Sequence, residues 1–225
     1  MFSPPADSRQ LILVTSPAYR PARSLATLRT YARTSNAAPW HPVFGAWTAE
    51  IGRTGLNDHK HEGDGSTPTG TFPVGLRMYG NDRNPGGLHY RYHRLVCGDW
   101  WDEDPYSATY NRFVHVACGT TPSFAAWSEA LWTETVAYPY FAVIETNNDP
   151  VVRGRDAPGS GIFLHHSVGG PTAGCVALPL SRLVAVLRWL RPGDHPVVEI
   201  GTTAEVGHIP VSPEPGREQG REVAR

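Results

Sequence analysis

The chain has one lysine, Lys60, among its 20 basic residues, two methionines and three cysteines in 225 residues. Its basic charge is therefore almost all arginine, and 21 acidic residues bring the net charge to −1. Such a balance leaves no electrostatic footprint for nucleic acid. No segment reaches the roughly 18 apolar residues of a transmembrane span. The start, MFSPPADSRQLILVTS, has no basic segment followed by an apolar stretch of signal-peptide length, so on sequence alone the product stays in the cytoplasm. An odd cysteine count is compatible with one disulfide plus one working thiol. Cys97 and Cys118 both follow apolar stretches; either they are bridged, which requires an oxidising compartment, or they are two reduced buried thiols.

Aromatic residues are plentiful, with seven Trp, nine Tyr and seven Phe to build a core and the walls of a cleft. A chain of this length forms one domain or a small pair, and no linker divides its middle. We expect a short N-terminal tail over residues 1–9 and one folded domain over 10–202. The Pro/Glu/Arg/Gly-rich tail over 203–225 carries too little apolar content to fold.

Residues 11–14 read as a first strand, and Ser24 as the cap of a short helix in which Leu25, Leu28 and Tyr31 share a face. Residues 40–52 read as one or two strands, followed by a polar loop over 53–66 and a further strand over 70–74. The stretch 78–111, rich in Gly, Asp, Asn and aromatics, is too irregular for a buried sheet throughout and reads as a cleft wall. Ser123 is placed to cap a second helix carrying Phe124, Trp127, Ser128 and Leu131. Residues 140–145 and 161–165 are the clearest central strands. Pro179 opens the best helix, with a stripe of Leu180, Leu183, Val184, Leu187 and Leu190 that Pro192-Gly193 terminates. A last strand covers 196–200. Strands outnumber helices without a βαβ rhythm, which predicts a mainly β, sandwich-like domain with a few short α-helices.

The chemistry concentrates in residues 161–178, GIFLHHSVGGPTAGCVAL. An apolar run delivers His165 and His166, and a Gly/Pro-rich loop then returns the chain to Cys175 behind Gly174. Cysteine attacks as the thiolate and needs a neighbouring base, a role His165 can fill. Amides around Gly174 and Cys175 can serve as an oxyanion hole. The competing reading is that Cys175 is an inert core thiol. Strand alternation lets only one of the two histidines meet Cys175. No Asp or Asn stands out as a third catalytic member, so a backbone carbonyl is left to orient the imidazole. The cluster Asp58, His59, Lys60, His61, Glu62 and Asp64 has metal-ligand residue types, but it reads as a solvated turn, and no metal site is assigned.

These residues resemble the L,D-transpeptidase (YkuD-like) catalytic domain family. His165 matches its strand histidine and Thr172-Ala173-Gly174-Cys175 its Ser/Thr-x-Gly-Cys motif. Upstream, Asp64-Gly65-Ser66-Thr67-Pro68-Thr69-Gly70-Thr71-Phe72 looks like its DGxTPxGxF segment. Trp101-Asp102-Glu103-Asp104-Pro105, Tyr110-Asn111-Arg112 and the stretch 159–165 look like a bacterial branch of the family. The resemblance runs from about Leu11 to Gly201. It implies a cysteine-dependent transferase acting on peptidoglycan stem peptides, as donor and acceptor, in cell-wall biogenesis. It implies Cys175, His165, Thr172 and Gly174 as catalytic residues, with His166, Trp101, Tyr110 and Asn111 toward substrate. It implies no cofactor and a location outside the membrane, and we expect a monomer. Trp100 and Tyr106 are further aromatic candidates for the cleft, or else core packing. Departures are a short loop between His165 and Cys175, Ala173 where familiar members carry a second histidine, and Ala177 where they carry Arg or Asn. Two other outcomes stay open: a carboxypeptidase that uses water as acceptor, and a catalytically silent wall-binding domain.

Overall fold

The computed structural model describes residues 4–206; the expected disorder of the C-terminal tail falls largely on residues 207–225, outside the described residues. In chain order the strands are β1 (Gln10–Ser16), β2 (Leu25–Ala32), β3 (His41–Glu50), β4 (Leu56–Asn57), β5 (Thr67–Pro68), β6 (Gly70–Gly80), β7 (Arg91–Arg94), β8 (Asp99–Asp102), β9 (Arg112–His115), β10 (Glu129–Ala130), β11 (Phe141–Ile144), β12 (Phe163–His166), β13 (Val176–Leu178) and β14 (Val197–Thr202). One α-helix, α1 (Leu180–Trp189), lies between β13 and β14.

The main sheet runs β11-β12-β13-β3-β2-β1-β14-β6-β7, and β11 also pairs with β6. The long β6 makes this closure possible: residues 70–73 pair with β14, 77–80 with β7, and Val74, Met78 and Tyr79 with β11. Strands from β11 round to β6 thus form a ring, which removes the free edges that an open sheet exposes. The molecule is a mainly β, barrel-like sandwich. A second, three-stranded sheet, β10-β8-β9, lies outside the ring.

Two cores follow from the side-chain alternation. Ile12 and Val14 on β1, Leu164 on β12 and Val176 and Leu178 on β13 face the main core, where α1 adds Leu183, Val186 and Leu187 and Leu190 follows as its C-cap; of the expected stripe, Leu180 is exposed and Val184 only half-buried. β1 is buried on both faces, because Leu11 and Leu13 pack with Tyr31, Trp40 and Val197. Its apolar run without polar alternation is what such a strand requires. The second core is aromatic: Tyr79, Trp101, Tyr138, Phe141 and Phe163 surround Cys175. Phe141 and Phe163 meet tilted at 4.6 Å and Trp101 meets Phe163 edge-on at 5.0 Å. Each such buried ring contributes about 1.5–3 kcal/mol through burial.

The structure corrects three expectations. The Ser24 helix is strand β2, in which Ala26 and Leu28 face the core at a spacing of two. The i, i+3, i+6 spacing of Leu25, Leu28 and Tyr31 was coincidental, and pairing with β1 and β3 along nearly the whole segment decided the matter. The Ser123 helix is a run of turns leading into β10 and a 3-10 turn at Leu131–Thr133; Phe124 is buried but Trp127 is exposed. The stretch 78–111 gives Glu103 and Pro105 to a cleft, as expected of a cleft wall, but it also contains the end of β6 together with β7 and β8, and most of its aromatics belong to cores. The described residues therefore hold fewer α-helices than expected.

Candidate active site

β12 and β13 are parallel neighbours with Leu164 opposite Val176 and His165 opposite Ala177. Alternation then sends Phe163 and His165 to the aromatic core, on the face where Cys175 enters just before β13. The connecting loop swings out to β3's end, where Thr172 N–H donates to Ile51 and Arg53 N–H donates to the Thr172 carbonyl. Thr172 Oγ1 accepts the Gly174 N–H at 3.1 Å and donates to the Cys175 carbonyl at 2.7 Å, so it staples the turn that presents the cysteine. Gly174 has φ +151°, and a side chain there would meet the Ser66 carbonyl oxygen at 2.8 Å and Ile162 Cδ1 at 2.9 Å. Only glycine fits that close approach.

The upstream DGSTP segment closes on this turn from the other side. Thr67 Oγ1 donates to the Gly174 carbonyl at 2.7 Å and accepts the Gly52 N–H at 2.8 Å. Asp64 accepts from Lys60 Nζ, from Asn57 Nδ2, from the backbone N–H groups of His61 and Ser66, and from Ser66 Oγ. Burial pushes its carboxyl up, but these donors prevail and hold it well below the usual carboxylate range. Lys60, with the aspartate as its ion-pair partner, is itself buried.

The Cys175 Sγ accepts the Phe163 N–H and donates to the Gly161 carbonyl, both at 3.3 Å. No hydrogen bond joins it to His165. Instead His165 Nδ1 lies 2.8 Å from the carbonyl of His166, which places the proton on Nδ1, and the Ala137 carbonyl is a second backbone partner of the ring. The Tyr138 ring covers the imidazole edge-on at 5.3 Å. Burial pushes the thiol well above its ordinary range and lowers the imidazole to about 4. At rest the pair is consequently a neutral thiol and a neutral imidazole, since this dry setting opposes charge separation.

Cys175 opens into a cleft of about 480 Å³ whose walls include Arg53, Lys60, Glu62, Glu103, Trp127, Glu129, Tyr138 and Ala173. Of the residues the sequence directed toward substrate, none lines this cleft. Trp101, Tyr110 and Asn111 are buried beneath it, and His166 Nδ1 is held by the Val136 carbonyl. Asn111 is a hub: its Oδ1 accepts from Trp101 Nε1 and from the Gly161 N–H, while its Nδ2 donates to the Thr146 and Asn147 carbonyls and to Asn148 Oδ1. It thereby holds the N–H side of Gly161, the residue whose carbonyl touches the thiol. Tyr110 donates to Glu62, which also accepts from Ser160 at 2.7 Å. Tyr106 is exposed and Trp100 packs against Phe124 and Trp132. Glu103 was already inside a matched segment, and Lys60 stood out as the one lysine; Glu129 and Trp127 carried no sequence signal for the cleft.

Cys97 and Cys118 form a disulfide, and Cys175 is the free cysteine. The bridge ties the ends of the β8–β9 pair, where Asp99 also binds His93 at 2.8 Å and His115 at 2.7 Å. Among the described residues no helix is long and apolar enough to cross a membrane, and no group of three or more His, Cys, Asp or Glu is placed to hold a metal ion.

Comparison with known proteins found no match among curated proteins or solved structures. At the level of families, residues 25–200, which include both motifs and every wall of the cleft, match the YkuD, L,D-transpeptidase catalytic domain. The chain belongs to that family.

Proposed function

We propose that this protein is a cysteine-dependent L,D-transpeptidase that cross-links peptidoglycan stem peptides through a thioester acyl-enzyme. The observation that carries the reading is the place of Cys175 in the cleft wall with His165 behind it on the same sheet face. Donor binding displaces water and brings an electrophilic carbonyl to Sγ. His165 takes the thiol proton as the C–S bond forms, so charge develops only as it is used. The Gly174 N–H is committed to Thr172, which leaves the Cys175 amide as the nearby donor for the oxyanion. The carbon–nitrogen bond to the terminal D-residue breaks, its amine leaves with the proton from His165, and an acceptor amine then resolves the thioester. Thr172 and Gly174 act as positioning residues in this scheme. Residues 10–202 form the catalytic domain, working as a monomer without a cofactor.

The family is cell-wall associated, and the Cys97–Cys118 bridge supports an oxidising, extracytoplasmic location. The polar groups absent at Ala173 and Ala177 are replaced in this reading by Lys60, Glu62, Glu103 and Glu129 from other segments.

The test is product analysis after incubation with a stem tetrapeptide. Release of the terminal D-residue together with a cross-linked dimer supports transfer; release with only the shortened peptide means hydrolysis by a carboxypeptidase. One observation favours a second reading, a silent wall-binding domain: the thiol and His165 are not hydrogen-bonded at rest. That reading predicts peptide binding with no product at all.

A further inference from the structure

The acidic wall of the cleft has a geometry that the first half of the reaction does not use. Glu103 directly follows β8, and Glu129 lies on β10 opposite Trp101 of β8, so the two carboxylates are diagonal neighbours on one face of this small sheet. Both line the cleft together with Cys175. Glu129 accepts the Tyr138 hydroxyl at 2.6 Å, and the Tyr138 ring covers His165. Glu103 reaches the nucleophile from the other side: a side chain on Gly161 would meet Glu103 Oε1 at 2.5 Å, and the Gly161 carbonyl is the one that touches Cys175 Sγ. Glu103 is half-buried at the cleft wall, and its carboxyl has no hydrogen-bond partner among the described residues. The other charges of the wall are committed, Glu62 to Tyr110 and Ser160, and Lys60 to Asp64.

We propose that Glu103 and Glu129 form a proton-sharing pair that receives the ammonium of the acyl acceptor, removes its proton and delivers the free amine to the Cys175 thioester. The proposal rests on the transpeptidase reading above and assigns the acceptor side of that site. An amine at neutral pH is mostly ammonium and has no lone pair to attack with. One proton passes to the carboxylate pair. The nitrogen then attacks the thioester carbonyl, the C–N bond forms and the C–S bond breaks. A second proton leaves the nitrogen through His165 to the departing Cys175 sulfur, and the pair returns its proton to solvent.

Burial is the main cause holding both carboxyls above their ordinary range, with each other's charge adding for Glu103; Glu129 is raised to about 7 against the pull of the Tyr138 hydroxyl. The groups facing the pair are Glu62 and Lys60 from the upstream loop, Asp102 on β8, Glu134 after β10, and Tyr138. With negative groups in the majority, an incoming cation is favoured, and a group poised near neutrality suits general base work.

The test compares two nucleophiles on the stem-tetrapeptide acyl-enzyme: methylamine, which arrives as a cation, and hydroxylamine, which is uncharged at neutral pH. The ratio of methylamine to hydroxylamine resolution rates falls by about 100-fold in Glu129→Gln and in Glu103→Gln, in line with loss of a general base. An unchanged ratio with a normally formed acyl-enzyme overturns this proposal and leaves the transpeptidase reading standing. Failure of the wild-type protein to form any acyl-enzyme overturns both. Independently of acylation, carbon-13 NMR of glutamate carboxyls predicts one group titrating near 7 that disappears in Glu129→Gln. Titration of every glutamate in the ordinary carboxylate range overturns the pairing.

Discussion

Thr67 Oγ1 donates a 2.7 Å hydrogen bond to the carbonyl of Gly174, across 107 positions of sequence. The bond joins the DGSTP segment to the turn that presents the thiol, and the same oxygen accepts the Gly52 N–H. Both segments of the family match are therefore parts of one small structure.

Thr67→Val keeps the shape but leaves the buried Gly174 carbonyl and Gly52 N–H unpaired. Each such loss costs about 1–3 kcal/mol. We expect a lower midpoint in urea unfolding, and a fall in Cys175 acylation beyond what the unfolded fraction explains, because the 172–175 turn loses its anchor. Acylation at the wild-type rate contradicts this role.

Stability should respond to pH in two opposed ways. Burial lowers His165 to about 4 from 6.5, so between those values the unfolded chain binds a proton that the folded chain refuses, and stability falls as pH drops. Burial raises Glu129 to about 7 from 4.5, so the folded chain keeps a proton that the unfolded chain has lost, and stability falls as pH rises. Each contribution is on the order of 3 kcal/mol at full extent and they nearly cancel between pH 4.5 and 6.5. Urea unfolding of His165→Gln over this range should show stability declining toward high pH. The same measurement on Glu129→Gln should show it declining toward low pH. Flat profiles in both variants contradict the assignment.

The Cys97–Cys118 bridge spans a sequence separation of 21 and encloses β8, β9 and the Glu103 side of the cleft. Breaking it by Cys97→Ser with Cys118→Ser should cost about 2–4 kcal/mol of stability. Thiol titration of the unfolded, unreduced wild-type protein should find one reactive group, and three after reduction. Three before reduction would show the bridge to be absent.

Much of the fold was legible where periodicity and burial agree, as in the apolar runs of β1 and β12 and in Leu183 and Leu187 of α1, although Leu180 of the expected stripe is exposed. Errors arose where local spacing and long-range pairing disagree. Leu25, Leu28 and Tyr31 carry a helical spacing, but contacts with β1 and β3 impose a period of two. The proposed nucleophile, Cys175, and its proposed base, His165, could be named because they lie ten residues apart in one motif. The cleft walls could not, since β10 and the turn before it bring Glu129 and Trp127 to Cys175 from nearly fifty residues away. Aromatics such as Trp101 and Tyr110 misled for a related reason: a large ring fills a core as readily as it lines a cleft.

The most direct test of the central claim is the intact mass of the protein after a short incubation with a stem tetrapeptide. One adduct with the mass of the donor less its terminal D-residue is expected, absent in Cys175→Ala and strongly reduced in His165→Gln. An unmodified mass in wild-type protein that binds the peptide, or an adduct that survives Cys175→Ala, would contradict it.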